Sequence, residues 1–357
     1  MPLRALSQAT YIPHLSIRPA EMQGLEELPE RDKDGLFPFF SLRSWVSAHN
    51  LDSSLIRLED AYGSRAFFIG VCDAEFIEKR RDVHDELDEL RDADDGYSNW
   101  CDFIEQHANF IPAVQLAEPD GFDAQVSRLH EFGRGLLVPI KHDAFPLAQN
   151  LALRTSALTN QGRDVCFFLD FGKATSDLPS RQMITTGVVN GILAAAPRAR
   201  VAISASSFPD SFADLDHQEI YERMLFNGVR AAINDGRLVY SDRGSARVER
   251  LGGGGGTIPP RVDYAEPARW TFFRADAVGD KFKNYQKQAK LVMKSPGWDA
   301  RLRLWGTQMI ERTAMGDRTA ISSQAKATAV RINLHLHRQL FYDDPQRAYD
   351  TDEEWRD

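Results

Sequence analysis

The stretch VCFFLDFG, Val165–Gly172, decides the fold of this chain. It is a short run of apolar, β-forming residues that ends in one carboxylate, Asp170, and a turn glycine. A strand that is apolar on both faces must be buried on both faces, as are the strands of parallel sheets covered by helices. Asp170 stands where the strand meets the next loop, and α/β folds bind their ligands at that edge. The stretch therefore predicts a parallel α/β fold with Asp170 at its functional end.

Seven further runs of this kind occur in the first two thirds of the chain, each followed by a segment with helical spacing. Eight is the number of strands that closes a (β/α)8 barrel, and the spacing of the runs fits the roughly 250 residues typical of that fold. The sequence therefore predicts a TIM-like (β/α)8 barrel with a C-terminal hairpin and helical extension. The predicted strands are Tyr11–Ile17, Leu36–Leu42, Ala66–Cys72, Phe110–Leu116, Gly135–Lys141, Val165–Phe171, Arg200–Ser206 and Arg237–Ser241.

The segments between these runs support the alternation. Ser180–Ala196 carries apolar residues at helical spacing, and Pro197 ends it before the next strand. Gly121–Gly133 places four apolar residues on one face and ends at glycine. The segment Asp82–Asp95 is rich in acidic residues and could be mistaken for a metal site. Its mixture of acidic residues and counter-charges favours a solvated helix and loop.

The pattern changes after the eighth strand, so we predict a barrel over residues 1–250 and an extension over 251–357 that packs on it. The extension begins with five consecutive glycines, Gly252 to Gly256, which no strand precedes in the manner of a phosphate-binding loop. A hairpin on the barrel rim, two helices and a polar acidic tail follow. They are predicted at Arg261–Tyr264 with Trp270–Arg274, at Gly279–Met293 and Ile321–Phe341, and at Asp343–Asp357.

The composition indicates a globular protein with a sizeable core. Of 357 residues, 43% are hydrophobic and 27% charged, and the formal net charge is -9. This acidic balance argues against a broad nucleic-acid-binding surface, which needs clustered Lys and Arg. The cysteines Cys72, Cys101 and Cys166 lack ligand-like spacing and favour free thiols in a reducing compartment. Without a signal sequence or an apolar stretch of about 18 residues, the chain is expected to be cytoplasmic, with no membrane partner.

Several short motifs, in this order, resemble the phage beta protein family, which is found in phages, prophages and defence-like gene neighbourhoods. The resemblance spans nearly the whole chain and implies a barrel-like fold and a phage or anti-phage defence context, without supplying a reaction. It marks Glu21, Asp170, Ser207 and Asp242 as family-like positions. The motifs are YIPHLSIRPAEMQGLEEL at Tyr11–Leu28, ASSFPDS at Ala205–Ser211, YSDRGSA at Tyr240–Ala246, IPPRVDY followed by RWTFFRAD, and RINLHLHRQL at Arg331–Leu340.

Strand alternation predicts which side chains point into the barrel. One parity of each strand faces the helices and must be apolar, so the parity that contains polar residues should face the axis. Most of these residues lie at or just past the C-terminal strand ends, where barrels carry their active sites. The predicted set is His14, Ser16, Arg18, Ser41, Arg43, Asp73, Gln115, Lys141, Asp170, Ser204, Ser206, Asp242 and Arg243.

This set predicts a mouth that binds an anion. Arg18, Arg43 and Lys141 would grip a phosphate or carboxylate, and a desolvated Asp170 would move protons. Ser206 and Arg243 are further candidates for substrate binding, and Asp242 and His14 for acid–base roles. The alternative is that the charges only compensate one another and that His14 is a core residue.

The sequence specifies no cofactor. The acids of the mouth could hold one divalent cation through oxygen ligands, but nothing in their spacing requires it. His335 and His337 stand two apart on a predicted helix and point to different faces, which is wrong for joint ligation. Ser206-Ser207 lacks the glycine-framed elbow of serine hydrolases, and there is no dinucleotide fingerprint or P-loop.

Two functions from different classes follow. The first is a barrel hydrolase or lyase that acts on a small anionic ligand, phosphorylated or nucleotide-like. The alternative is a non-catalytic binding or scaffold protein that meets a protein partner from a neighbouring phage or defence gene through Trp270, Phe272 and Trp305. Those aromatics could equally fill the seam between the C-terminal helices and the barrel. A nucleic-acid role ranks third and rests on Lys281, Lys283, Lys287, Lys290 and Lys294, which a solvated helix face explains as well.

Overall fold

The computed structural model describes residues 4–74, 76–212, 214–248, 259–274 and 278–350. They form two compact units. The barrel unit lies within residues 1–17, 36–207 and 221–243. The second unit lies within residues 18–35, 208–220 and 244–357, so two excursions from the first part of the chain pack with the C-terminal residues.

Eight parallel strands form the sheet of the barrel unit, and all eight correspond to predicted runs. Around the sheet their order is β4-β3-β2-β1-β9-β7-β6-β5. A further strand, β8 (His217–Glu219), belongs to the second unit. The strands of the barrel are β1 (Tyr11–Ser16), β2 (Phe39–Leu42), β3 (Phe67–Val71), β4 (Phe110–Pro112), β5 (Leu136–Lys141), β6 (Val165–Lys173), β7 (Arg200–Ser206) and β9 (Leu238–Asp242).

The two ends of this sheet meet between β4 and β5. Ala113, just past β4, forms a parallel bridge with Leu137, and the Val114 amide donates to the Leu137 carbonyl at 2.8 Å. This contact spans only one or two residue pairs, so few hydrogen bonds close the barrel between β4 and β5. The architecture confirms the predicted (β/α)8 barrel.

Helices alternate with the strands of the barrel unit. The predicted helices at Gly121–Gly133 and Ser180–Ala196 are confirmed as α6 and α8, and the acid-rich segment forms α4 and the start of α5. No helix among the described residues is both long enough and apolar enough to cross a bilayer. The described helices are α1 (Pro19–Glu26), α2 (Glu30–Gly35), α3 (Asp52–Tyr62), α4 (Asp82–Arg91), α5 (Asp94–Gln106), α6 (Phe122–Glu131), α7 (Ala148–Leu158), α8 (Gln182–Ala195), α9 (Tyr221–Ile233), α10 (Lys281–Lys294), α11 (Trp305–Met315) and α12 (Gln324–Leu340).

Side chains of alternate strand residues fill the barrel interior. Phe39, Phe68 and Phe168 belong to one buried apolar cluster with smaller residues from the other strands. Burying a phenylalanine side chain contributes about 1.5–3 kcal/mol relative to leaving it exposed, so each of these rings stabilises the folded barrel. The interior is therefore a packed core, as in other barrels of this class.

The second unit combines a small antiparallel sheet with helices. The predicted hairpin is confirmed as β10 (Arg261–Ala265) paired with β11 (Arg269–Arg274), and β8 adds a third strand to β11. Helix α1 packs closely on α12, since a Cβ on Gly24 would lie 2.9 Å from the Ala329 carbonyl oxygen. The glycine run Gly252 to Gly256 and residues 351–357 of the predicted tail lie outside the described residues.

Candidate functional site

Four side chains from different strands meet at the C-terminal end of the barrel interior. We call His14, Ser41, Asp170 and Arg243 the strand-end cluster. His14 and Ser41 lie on β1 and β2, Asp170 lies on β6, and Arg243 directly follows β9. In each strand, a residue of the buried apolar cluster precedes the polar residue by an even number of positions. The two side chains therefore lie on the same face of the strand, and the polar group points inward.

Hydrogen bonds and charge link the four groups. His14 Nε2 lies 2.7 Å from Ser41 Oγ, and His14 Nδ1 lies 4.0 Å from Asp170 Oδ2. The same Asp170 oxygen accepts a hydrogen bond from the Arg243 guanidinium, and the other carboxylate oxygen accepts one from the Gly172 amide at 2.9 Å. His14 therefore stands between a hydroxyl and a carboxylate.

An aromatic floor fixes the imidazole. The His14 ring stacks on Phe39 with 4.3 Å between ring centroids and meets the edge of Phe168 at 5.5 Å. Phe39 and Phe168 also pack on each other at 5.2 Å. His14 is 7% exposed, so its orientation is held from below while its nitrogens point to polar partners.

Two predicted binding residues lie nearer to solvent. Lys141, at the end of β5, makes an ion pair of 2.7 Å with Asp73, and both side chains are mostly exposed. Such an exposed pair contributes little to stability and can open for a ligand. Arg43, which follows Ser41 at the next position of the same parity, lines a small pocket beyond β2 and β3.

Cationic groups predominate in that pocket. Arg80 and Arg91 each hold one oxygen of Asp88 at 2.6 Å. Burial, together with the charges of Arg81 and Arg80, lowers the pKa of His84. The charged and titratable side chains that line the pocket are Arg43, Asp73, Arg80, His84, Asp88 and Arg91.

Other predicted residues have different surroundings. Ser204 and Ser206 are buried on the inward parity of β7. Arg18 and Glu21 belong to the second unit, where the two side chains pair at 3.6 Å. The structure therefore does not add Arg18 to the strand-end cluster.

Asp242, predicted at the mouth, lies on the opposite face of its strand. Both of its carboxylate oxygens accept phenolic hydrogen bonds, from Tyr11 at 2.6 Å and from Tyr240 at 2.8 Å. The reason is the two-residue period of a strand: Arg243 takes the inward face, so its neighbour Asp242 turns outward with Tyr240. The prediction that both residues face the mouth is corrected accordingly.

The outward face carries a buried polar network around Asp242, and the sequence carries no signal for two of its members, Glu222 and Arg223. Glu222, in the first turn of α9, accepts hydrogen bonds from the Ser207 hydroxyl and amide, the latter at 3.2 Å. Arg223 stacks on Tyr240, with its guanidinium carbon 3.2 Å from the ring centroid. Burial, and then the nearby charge of Asp242, raises the pKa of Glu222 to about 8.

This shift predicts a stability that falls as the pH rises. Between pH 4.5 and about 8 the folded protein keeps a proton on Glu222 that the unfolded chain releases. The unfolding free energy should therefore fall by up to about 1.4 kcal/mol per pH unit in that window. Glu222→Gln should remove this slope in urea unfolding, and the exposed Glu105→Gln should retain it. Equal slopes for Glu222→Gln and the wild type would contradict the assignment.

The described residues contain no cluster of three or more His, Cys, Asp or Glu side chains that could hold a metal ion. His335 accepts a hydrogen bond from the Trp270 indole at 3.2 Å, and His337 contacts Asp32 at 2.6 Å, so the two histidines have separate partners. None of the cysteines Cys72, Cys101 and Cys166 forms a disulfide with another described residue.

The aromatic residues and lysines on which the protein-partner and nucleic-acid hypotheses rest all lie in the second unit. Trp270 and Phe272 are buried, with Phe208 packed against both rings. Trp305 is half-buried, and the ammonium group of Lys326 lies 5.1 Å from its ring centroid. The five lysines of the nucleic-acid hypothesis lie on α10.

Sequence reasoning identified most of the strand-end cluster but gave Ser41 no role. The sequence puts Ser41 on the polar parity of its strand but does not show which side chain it contacts. The missing information was the register of β1 against β2, which pairs Ser16 with Ser41 and His14 with Phe39. The sequence of either strand alone does not contain it.

A family model and a curated relative both match this chain, and the names of both refer to a beta protein. The profile of the family described as Beta protein matches residues 11–341. The chain is 26% identical to "Protein beta" of Enterobacteria phage P4 over 363 aligned positions, which cover 97% of each protein. No solved structure was found to match it significantly. The chain therefore belongs to the Beta protein family.

Proposed function

We propose that the barrel unit is a hydrolase or lyase that acts on an anionic substrate, phosphorylated or nucleotide-like, at the C-terminal ends of its strands. The observation that carries the proposal is the 2.7 Å contact between His14 Nε2 and Ser41 Oγ beside the Asp170–Arg243 ion pair. A histidine in contact with a hydroxyl and near a carboxylate is an arrangement that transfers protons.

The roles of the groups follow from their contacts. His14 is the proton carrier, because one ring nitrogen meets a hydroxyl and the other faces a carboxylate. Asp170 orients that imidazole, since the Arg243 guanidinium and the Gly172 amide already occupy its oxygens. This assignment replaces direct proton transfer by Asp170 with transfer by His14.

The cationic side chains would bind the substrate anion. Arg43 lies two residues beyond Ser41, about 7 Å along the strand direction, and lines the small pocket beyond β2 and β3. Arg243 is 15% exposed, and its Nε has no hydrogen-bond partner among the described residues. Guanidinium groups suit phosphate because they donate two parallel hydrogen bonds. Lys141 would add a third cation once its pair with Asp73 opens.

The test is turnover of a panel of phosphoesters and nucleotides by the full-length protein, with thermal melting measured on the same panel. The wild type should hydrolyse or bind at least one member. Arg43→Ala should weaken that substrate's binding by roughly 10- to 100-fold, the equivalent of one charged hydrogen bond.

Arg128→Ala is the matched control, because Arg128 is a surface arginine of α6 paired with Asp102. It should bind substrate like the wild type. Absence of turnover and of any ligand-dependent rise in melting temperature across the panel would defeat the proposal and favour a non-catalytic role.

A further inference from the structure

We propose that Ser41 is the nucleophile of the reaction, with His14 as its base and Asp170 as the residue that orients His14. This inference rests on the proposed function for its substrate class, and it assigns a covalent phosphoseryl intermediate at Ser41. Three observations on the described residues support it: the hydroxyl–imidazole contact, the position of the carboxylate and the rigidity of the imidazole.

The carboxylate selects the useful tautomer of His14. Asp170 Oδ2 lies 4.0 Å from Nδ1, so a proton on Nδ1 is electrostatically favoured. Nε2 then carries the lone pair and accepts the hydrogen bond from Ser41 Oγ at 2.7 Å. A serine hydroxyl that donates to a neutral imidazole is the usual form of an activated nucleophile. The distance to Asp170 exceeds a hydrogen bond, as is common before substrate binds.

The site also holds the imidazole in place. Stacking on Phe39 and the edge contact with Phe168 restrict rotation of the His14 ring. Ser41 lies near the end of β2 and is half-buried, so a substrate can approach it from the open end of the barrel. Nucleophile, base and orienting group thus stand on three strands of one rigid sheet, which favours precise geometry.

The proposed reaction balances as follows. Ser41 Oγ attacks the phosphorus of a phosphoester and gives its proton to His14 Nε2. The bond from phosphorus to the leaving oxygen breaks with its electron pair, and that oxygen takes the proton from His14. Water then attacks the phosphoseryl group, gives a proton to His14, and the Ser41 oxygen leaves and recovers that proton. The net change is hydrolysis of the ester by one water molecule.

The experiment uses a fluorophosphonate probe on the full-length protein, because such a probe forms a bond to an activated serine without knowledge of the substrate. Peptide mass spectrometry should locate the adduct on Ser41. Ser41→Ala should abolish it, and His14→Gln should lower its rate at least 100-fold. Melting curves show whether each variant is folded.

Ser204→Ala is the matched control. Like Ser41, Ser204 faces the barrel interior, from β7, and its hydroxyl has no hydrogen-bond partner among the described residues. It should react with the probe at the wild-type rate. Absence of an adduct on Ser41, or equal phosphoester turnover by Ser41→Ala and the wild type, would overturn the assignment. Labelling of Ser41 without turnover on the panel would support the nucleophile and count against phosphoesters as the substrate class.

Discussion

Asp170→Asn is expected to lower turnover, and the rate of Ser41 labelling, by about 100- to 10,000-fold. Asparagine preserves the size of the side chain but removes the charge that favours the Nδ1 proton of His14. The amide can also turn its NH2 group toward Nδ1, which would select the tautomer that cannot accept a proton from Ser41. The effect should fall on kcat. KM should stay or decrease, because Arg243 keeps its positive charge.

The comparison with a second Asp–Arg pair separates this role from a loss of stability. Asp235 and Arg237 form an ion pair of 2.6 Å just before β9, at the opposite end of the strand that leads to Arg243. Asp235→Asn should leave kcat and labelling unchanged, and Asp170→Glu should recover part of the lost rate. Wild-type kcat in a folded Asp170→Asn protein would contradict the positioning role.

The largest expected effect on stability is that of Asp263→Asn. Asp263 is 2% exposed and holds two guanidinium groups, Arg261 at 2.6 Å and Arg331 at 2.7 Å. Burial lowers the pKa of Arg331 to about 10, so it remains charged at neutral pH. Removal of the carboxylate charge leaves two buried cations without compensation. We expect a loss of about 3–5 kcal/mol in the free energy of unfolding.

Asp317→Asn provides the control in the same unit. Asp317 pairs with Arg312 at 2.8 Å in a more exposed setting. Loss of an exposed pair should cost far less than loss of a buried one, because solvent screens the charges. Urea unfolding followed by tryptophan fluorescence should therefore distinguish the two variants clearly, and Asp263→Asn combined with Arg331→Met should recover part of the loss. Similar unfolding midpoints for the two single variants would contradict this account of the buried pair.

The barrel could be predicted from sequence because its strands are short, apolar on both faces and separated by helix-forming segments. The sequence did not predict strand β8, because β8 lacks the apolar pattern that marks the barrel strands. Its residues His217–Glu219 carry no apolar side chain, and its pairing with β11 depends on a partner about 50 residues away. A strand whose pairing comes only from tertiary contacts leaves no local signal.

The site was predictable only in part. Alternation predicts that His14 and Asp170 face inward near their strand ends, where the two side chains lie 4.0 Å apart. Arg43 instead lines the small pocket beyond β2 and β3. It did not separate Asp242 from Arg243, since the sequence does not show how far β9 extends past Ser241. The contact between His14 and Ser41 depends on the register between two strands. The pairing of Arg18 with Glu21 is local to the first turn of α1, and the sequence alone does not show that this turn belongs to the second unit.

The most direct test of the central claim, that the strand-end cluster is an active site for a phosphorylated substrate, is a crystal structure of the protein soaked with orthovanadate. Vanadate takes the trigonal-bipyramidal geometry of a phosphoryl-transfer transition state. The account predicts vanadium bound at Ser41 Oγ, with His14 Nε2 in hydrogen-bond contact with that oxygen and vanadate oxygens on Arg43 and Arg243. Vanadate bound elsewhere, or crystals in which these side chains hold no anion, would contradict it.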